Sequence, residues 1–188
     1  MRKLSLMLLL IAPALAGCDD PFGPSRWNDL PIDVRLWSID RADLVGLPSA
    51  YDFIVMQRVT PEDPNSLMSW DVVLSDVPGG LAFTPAGAFA DVGGDVGIAE
   101  MPGVSFDELL EAPRDPNAYI TDRPVPLVPG GVYVVRSRRA ACGLAGIAPR
   151  YAKVSVTTVN VEEGTVVFKA VRNPNCNDRS FVSPEDDD

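Results

Sequence analysis

Residues 151–171, YAKVSVTTVNVEEGTVVFKAV, decide the fold class of this 188-residue chain. Apolar or β-branched residues recur at every second position on both sides of Glu162-Glu163-Gly164; they are Val154, Val156, Thr158, Val166 and Phe168. A two-residue period is typical of strands with one buried face, and a short polar segment ending in glycine is typical of a turn. We therefore predict a hairpin with strands over 151–161 and 165–171.

Four other segments show strand character, with alternating or branched and aromatic residues bounded by proline; they cover residues 32–37, 51–59, 70–77 and 132–138. The pairs Gly79-Gly80 and Gly93-Gly94 predict turns. One short helix is predicted over 106–112, where Ser105 and Glu108 form a capping box and Pro113 ends the run. With 18 prolines and 15 glycines, long helices are disfavoured. We predict a mainly β protein, with one antiparallel β-sandwich or half-open barrel domain over 32–182.

The amino terminus has the pattern of a bacterial export signal. Arg2 and Lys3 precede an apolar run of about a dozen residues, which is too short to span a bilayer. The run ends in Leu15-Ala16-Gly17-Cys18, which resembles the lipobox of bacterial lipoproteins. The resemblance implies that residues 1–17 are removed and that Cys18 carries the lipid, with two or more acyl chains sufficient for stable anchoring.

The composition between the signal and the domain predicts a tether. Residues 18–31 are rich in Pro, Asp, Gly and Ser, and residues 183–188 form an acidic tail. Loss of the signal removes two basic residues and no acidic ones, which makes the net charge two units more negative than −10. Such a chain repels nucleic acids and anionic headgroups. We therefore expect the lipid to supply the membrane contact, at the cell envelope, with inner and outer membrane both open.

Three cysteines are present, and the anchor uses one of them. Cys142 and Cys176 are then paired in an oxidising compartment, so we predict a disulfide that clamps the open end of the hairpin. The alternative is a pair of soft metal ligands. Zinc normally needs four ligands, and the chain has no histidine to complete such a set.

The absence of histidine removes the usual general base and the commonest metal ligand. Carboxylate-pair hydrolysis stays formally open; its candidates are Asp71, Asp76, Glu100, Asp107 and Glu108. Nothing in the sequence places two of them across a cleft, so no catalytic residue is assigned. Residues 91–97 superficially resemble a calcium turn but lack regular oxygen ligands. We expect no metal site and no cofactor.

Two further groups of residues have a binding interpretation beside a structural one. The sole basic cluster consists of Arg136, Arg138 and Arg139, with Arg150 as a candidate fourth member, and it either binds an anion or offsets nearby acids. Methionines are usually core filler, although haem iron accepts methionine sulfur; those after the signal are Met56, Met68 and Met101.

A family resemblance covers residues 50–172. It lies in the succession of five motifs: Ser69-Trp70-Asp71-Val72-Val73-Leu74, Gly79-Gly80, Gly131-Val132-Tyr133-Val134-Val135-Arg136, Tyr151-Ala152-Lys153-Val154 and Gly164-Thr165-Val166-Val167-Phe168. This succession resembles the order of elements in haem-binding lipoproteins of the HmuY type, which implies a lipid-anchored antiparallel β protein. The axial ligands best known in that family are histidines, which this chain lacks, so no ligand position carries over.

Three functions are therefore compatible with the sequence. The first is a non-catalytic binding or scaffolding lipoprotein of the envelope, which the absences above favour. The second is a carrier of haem or another apolar ligand, which the resemblance implies. The third is an envelope hydrolase that uses carboxylates.

Overall fold

A computed structural model describes residues 25–66, 69–90, 95–143 and 146–184. These residues contain twelve strands and one α-helix, α1 at Ala86–Ala90. The strands are β1 Ile32–Trp37, β2 Ala50–Asp52, β3 Gln57–Val59, β4 Val72–Val77, β5 Gly80–Pro85, β6 Gly97–Glu100, β7 Val125–Pro126, β8 Val132–Arg136, β9 Ala140–Ala141, β10 Ile147–Ala148, β11 Tyr151–Asn160 and β12 Thr165–Arg172. Three short 3-10 helices lie at Ala42–Leu44, Pro64–Ser66 and Pro116–Ala118.

Ten strands form two five-stranded antiparallel sheets. The first sheet has the order β1-β12-β11-β8-β6 and the second the order β3-β2-β4-β5-β7, while β9 and β10 pair as a separate small hairpin. The two sheets share one apolar core, so the domain is a β-sandwich with a single short helix. This confirms the predicted fold class.

The β11–β12 hairpin forms at the centre of the first sheet, as predicted, and Gly164 in its turn has φ +63°. One detail of its pattern differs from the prediction. A bulge between Val156 and Thr158 shifts the register by one residue, so Thr158 is exposed and Val159 packs against the core. A bulge reverses the faces of the residues that follow it, which simple alternation does not anticipate.

The predicted strand over 51–59 is wrong in its middle, where the chain turns between β2 and β3. Asp52 stabilises the turn because its Oδ1 accepts the backbone N–H of Ile54 at 2.7 Å and of Val55 at 3.2 Å. Met56 in the turn has φ +57°. A carboxylate that bonds the backbone two and three residues ahead competes with strand pairing.

The other predicted strands form, but their ends differ from the prediction. The segment 70–77 pairs only from Val72, and 132–138 pairs only as far as Arg136. The turn at Gly79-Gly80 joins β4 to β5 as predicted, with Gly79 at φ +88°. The predicted turn at Gly93-Gly94 lies outside the described residues.

The core between the sheets is aromatic at its centre. Phe168 of β12 makes edge-to-face contacts with Phe83 of β5, at 5.3 Å between ring centroids, and with Tyr51 of β2, at 5.6 Å. All three side chains are almost fully buried. Aromatic pairs of this geometry add to the stabilisation from buried area, so these contacts hold the two sheets together.

The first sheet is also covered on its outer face. Phe106, Leu109 and Phe181 pack there against Val134 and Val171 in a second apolar cluster. The first sheet is therefore buried on both faces around β8, while Asp33 and Arg35 leave its outer face exposed at β1. This explains why its strands contain longer apolar runs than a half-exposed sheet requires.

The helix predicted over 106–112 does not form, although its capping box does. Glu108 donates its N–H to Ser105 Oγ at 3.3 Å, and Ser105 donates its hydroxyl to the Glu108 carboxylate at 2.7 Å. The carbonyls of Phe106 and Leu109 instead accept bonds from the Lys153 ammonium, at 2.9 and 3.2 Å. The Ala112 N–H, which a helix would direct to the Glu108 carbonyl, also donates elsewhere, to the Arg179 carbonyl at 2.9 Å, so tertiary contacts override the local cap.

The end of the tether docks on the domain. Trp27 packs against the outer cluster, and its backbone N–H donates to Ser183 Oγ at 3.0 Å. Ser25 donates its N–H to the Asn175 side chain at 2.8 Å. The described part of the predicted tether therefore lies beside the carboxyl-terminal segment. Residues 1–24 and 185–188, including the predicted signal and Cys18, lie outside the described residues.

Candidate functional site

The predicted disulfide between Cys142 and Cys176 is present, with an S–S distance of 1.97 Å. Cys142 directly follows β9, and its N–H donates to the Gly146 carbonyl at 2.8 Å. Cys176 follows β12, and the next residue, Asn177, donates its N–H to the Pro149 carbonyl at 2.8 Å. The bond therefore ties the β9–β10 hairpin to the carboxyl-terminal segment at the start of β11.

The four candidate arginines do not form one cluster. Arg138 points into the end of the sandwich, where it meets two carboxylates. Arg150 is held by backbone carbonyls, with its Nε 2.9 Å from the Pro174 oxygen. Arg136 and Arg139 line a surface cavity beside the disulfide. The structural interpretation from the sequence is thus confirmed for Arg138, which offsets two acidic side chains.

A buried ionic network closes this end of the space between the sheets. Arg138 Nη2 lies 2.7 Å from Asp52 Oδ2, and Arg138 Nη1 lies 3.1 Å from Asp71 Oδ1. The other Asp71 oxygen accepts the N–H of Phe53 at 2.6 Å. Burial raises the pKa of Asp71 to about 6, although the Arg138 charge opposes the shift. Burial lowers the pKa of Arg138, but the hydrogen bond to Asp52 and the Asp71 charge outweigh that effect and raise it overall.

Two more arginines accompany this network. Arg172, at the end of β12, donates from Nη1 to the Ile54 carbonyl, and its Nε is buried with no hydrogen-bond partner. The Tyr51 hydroxyl and Arg150 Nη1 are also buried without a partner. Asp52 and Arg172 were not among the predicted site residues. A signal for Asp52 does exist, since a lone carboxylate in the apolar stretch around Tyr51 and Phe53 requires a buried partner.

The arginine-lined cavity, of about 770 Å³, opens to the surface. Arg136 Nε donates to the Asp95 carbonyl at 2.8 Å, and its guanidinium lies 4.9 Å from the centre of the Tyr119 ring. Arg139 Nη2 donates to the Ile147 carbonyl at 3.2 Å, and its Nη1 lies 3.7 Å from the Asp95 carboxylate. The lining thus contains two guanidinium groups and one carboxylate, and only Arg139 pairs with that carboxylate. Tyr151, Ala148 and Cys176 supply apolar surface nearby.

The candidate catalytic carboxylates do not converge on one another. Asp71 is fully buried in the ionic network, Asp76 pairs with Arg41 at 3.2 Å, and Glu108 bonds Ser105. Glu100, at the end of β6, and Asp107, in the turn after Ser105, are exposed. These carboxylates have separate local roles or face solvent, so their arrangement offers no acid–base pair.

The methionines lie in different parts of the fold. Met56 packs against the core between the sheets, and Met101 packs against the outer cluster, so the first sheet separates them. Met68 and residues 91–94 of the calcium-like turn lie outside the described residues. No group of three or more metal-ligating side chains occurs in the described part of the chain.

Within the residues that the structure describes, no helix is long and apolar enough to cross a bilayer. Comparison with known proteins found no match: no family model, no curated protein and no solved structure is similar to this chain.

Proposed function

We propose that this chain is a lipoprotein of the cell envelope, held at a membrane by a lipid on Cys18, whose domain binds an anionic ligand without catalysis. The binding site is the cavity of Arg136 and Arg139. The observation that carries this assignment is the local excess of positive charge, since the cavity lining includes two guanidinium groups and a single carboxylate, Asp95.

The chemistry of the cavity suits a carboxylate or phosphate group. Guanidinium groups bind such anions through paired N–H donors. The whole chain has 26 acidic and 16 basic residues, so an anion is repelled from most of its surface. A cavity that locally reverses this sign concentrates the anion at one place. The apolar wall beside the disulfide adds contact for the remainder of the ligand.

The binding test uses the mature full-length protein in neutral detergent, titrated calorimetrically with inorganic phosphate and with citrate. We expect saturable binding that weakens roughly tenfold, or by about 1.4 kcal/mol, in the double variant Arg136→Gln/Arg139→Gln. The matched control is Arg114→Gln/Arg123→Gln, which removes the same charge from exposed positions elsewhere. Absence of saturable binding for both probes, or an equal loss in both variants, contradicts the proposed site.

The anchor is tested separately. Replacing Cys18 by serine removes the thiol that would be alkylated, so we expect loss of fatty-acid labelling and of partitioning into a detergent phase. The control is Cys142→Ser/Cys176→Ser, which keeps Cys18 and should keep the labelling. Labelling that persists in Cys18→Ser rules out the anchor.

A further inference from the structure

The edge of the first sheet at β1 is open. β1 pairs with β12 on one side, and the described residues form no backbone hydrogen bond with Ile32–Leu36 on the other side. A cavity of about 670 Å³ runs along this edge, and Gln57 and Arg58 of β3 form its opposite wall. The five residues from Ile32 to Leu36 offer about 17 Å of strand for pairing.

The other edge of this sheet is covered. Ile98 of β6 exchanges two backbone bonds with Ile120, both of 2.9 Å. In the second sheet, the edge strands β3 and β7 have only three and two residues. β1 is therefore the longest uncovered edge among the described strands. An uncovered edge of this length is a template for another strand unless something caps it.

The direction of the free backbone groups follows from the end of β1. Ser38 donates its N–H to the Gly164 carbonyl, towards β12, while Trp37 donates its N–H to the Pro48 carbonyl, away from β12. Because these directions alternate along an antiparallel strand, Asp33 and Arg35 point their backbone groups in the same direction as Trp37. These two residues therefore carry the unpaired N–H and C=O groups of the edge.

Asp33 and Arg35 also carry opposite charges. Both side chains are exposed, and neither forms a hydrogen bond or ion pair with the described residues of its own chain. Val34 between them faces the core. Along this edge, the side chains are therefore acidic, apolar and basic in succession. This pattern is complementary to itself when the strand runs antiparallel to a second copy.

We propose that two copies of this chain dimerise by antiparallel pairing of their β1 strands about a two-fold axis at Val34. Asp33 of each copy then lies opposite Arg35 of the other, and the pair exchanges backbone hydrogen bonds on both sides of the axis. Ile32 lies opposite Leu36, so the apolar residues stay on the inner face. The two first sheets become one sheet of ten strands, through an interface that uses the same residues in both copies.

The charges select this register over its neighbours. Any shifted pairing register must keep the inner-facing residues on the inner face. The symmetric alternatives therefore place the two-fold axis at Asp33 or at Arg35. The first places Asp33 opposite itself, and the second places Arg35 opposite itself. Like charges directly opposite each other destabilise strand pairing, while opposite charges stabilise it. Of these three registers, the one centred on Val34 places opposite charges opposite each other in both copies.

The experiment measures self-association of the mature full-length protein by sedimentation in density-matched neutral detergent. We expect a monomer–dimer equilibrium. Asp33→Arg and Arg35→Asp should each raise the dissociation constant roughly tenfold, because each substitution alters two symmetry-related pairs. The swap Asp33→Arg/Arg35→Asp should restore association. Equimolar mixing of the two single variants should also restore it, as heterodimers, since every pair then regains opposite charges.

The matched controls are Glu62→Arg and Arg123→Asp, which make the same charge changes at exposed positions outside β1. Thermal unfolding of each variant checks that its fold is retained. A protein that remains monomeric at all concentrations overturns the proposal. So does a dimer whose dissociation constant responds equally to the β1 variants and to the controls, or one that mixing does not restore.

Discussion

Arg138 binds Asp71 twice, because its backbone N–H and its guanidinium Nη1 both donate to the same carboxylate oxygen, at 2.8 and 3.1 Å. Asp71 lies just before β4 in the second sheet, and Arg138 lies two residues after β8 in the first. The pair therefore joins the two sheets at one end of the sandwich. Its position makes it a stability element.

Replacing Arg138 by methionine should destabilise the domain strongly. The substitution keeps much of the side-chain length but leaves Asp71, which is fully buried, without its cation. Breaking a buried pair in this way costs about 3 to 5 kcal/mol. Urea unfolding followed by tryptophan fluorescence measures the change. Arg139→Met, at an exposed neighbouring position, should stay within about 0.5 kcal/mol. Equal effects from the two substitutions contradict the role of the pair.

The stability contributed by Asp71 should depend on pH. Burial raises its pKa from 3.8 to about 6, so between these values the folded state holds a proton that the unfolded state has released. The free energy of unfolding gained from this group therefore rises as the pH falls from 7 to 4. Asparagine does not titrate, so Asp71→Asn should cost more at pH 4 than at pH 7. Urea unfolding at both pH values gives the comparison. A cost that shrinks towards pH 4 indicates that the Arg138 charge outweighs burial.

Loss of the disulfide should weaken the fold without changing its class. Cys142 and Cys176 are 34 residues apart. Opening a loop of this length costs about 3 to 4 kcal/mol in the chain-entropy model. Cys142→Ser/Cys176→Ser should lower the free energy of unfolding by this amount, while far-ultraviolet circular dichroism stays that of a β protein. Mass spectrometry of the unreduced wild type should show two hydrogens fewer than the dithiol. Two freely alkylated thiols in that sample rule out the bond.

Lys153 should matter for the segment that covers the outer face. Its ammonium bonds the carbonyls of Phe106 and Leu109 and lies 4.6 Å from the centre of the Phe106 ring. Burial lowers its pKa, and among the described residues its hydrogen bonds go to these backbone carbonyls and not to a carboxylate. Lys153→Met leaves two carbonyls unpaired and should cost about 1 to 3 kcal/mol. Amide hydrogen exchange should quicken over residues 101–112 and not in β4. Unchanged exchange over 101–112 contradicts this role.

Haem should not bind tightly. Met56 and Met101 lie on opposite sides of the first sheet, so they cannot ligate one iron between them. Titration with one equivalent of haem should give no sharp Soret band, and the spectra should be the same for Met56→Ala, Met68→Ala and Met101→Ala. A saturable low-spin spectrum that one of these substitutions abolishes makes a haem carrier the better interpretation of the domain.

The β class, the central hairpin and the cysteine pair were all predictable from the sequence. The period of two in 151–171 and the turn glycine Gly164 act over a few residues, so their effect is visible without knowing the fold. The pairing of Cys142 with Cys176 followed from the number of cysteines and the export signal. The capping box of Ser105 and Glu108 also formed, but the helix that it predicted did not, because Ala112 donates its N–H to the distant Arg179 carbonyl and not along the helix.

The tertiary structure alone decided which charges are buried and which are free. Arg138 reaches partners 67 and 86 residues away, whereas the next residue in the chain, Arg139, faces solvent. Their chemical identity is the same, so no local pattern distinguishes them. The difference arises because Asp52 and Asp71 happen to meet the end of β8 across the space between the sheets. The cost of burying an ion depends on the partners that the fold places beside it, and the strand order determines which residues those partners are.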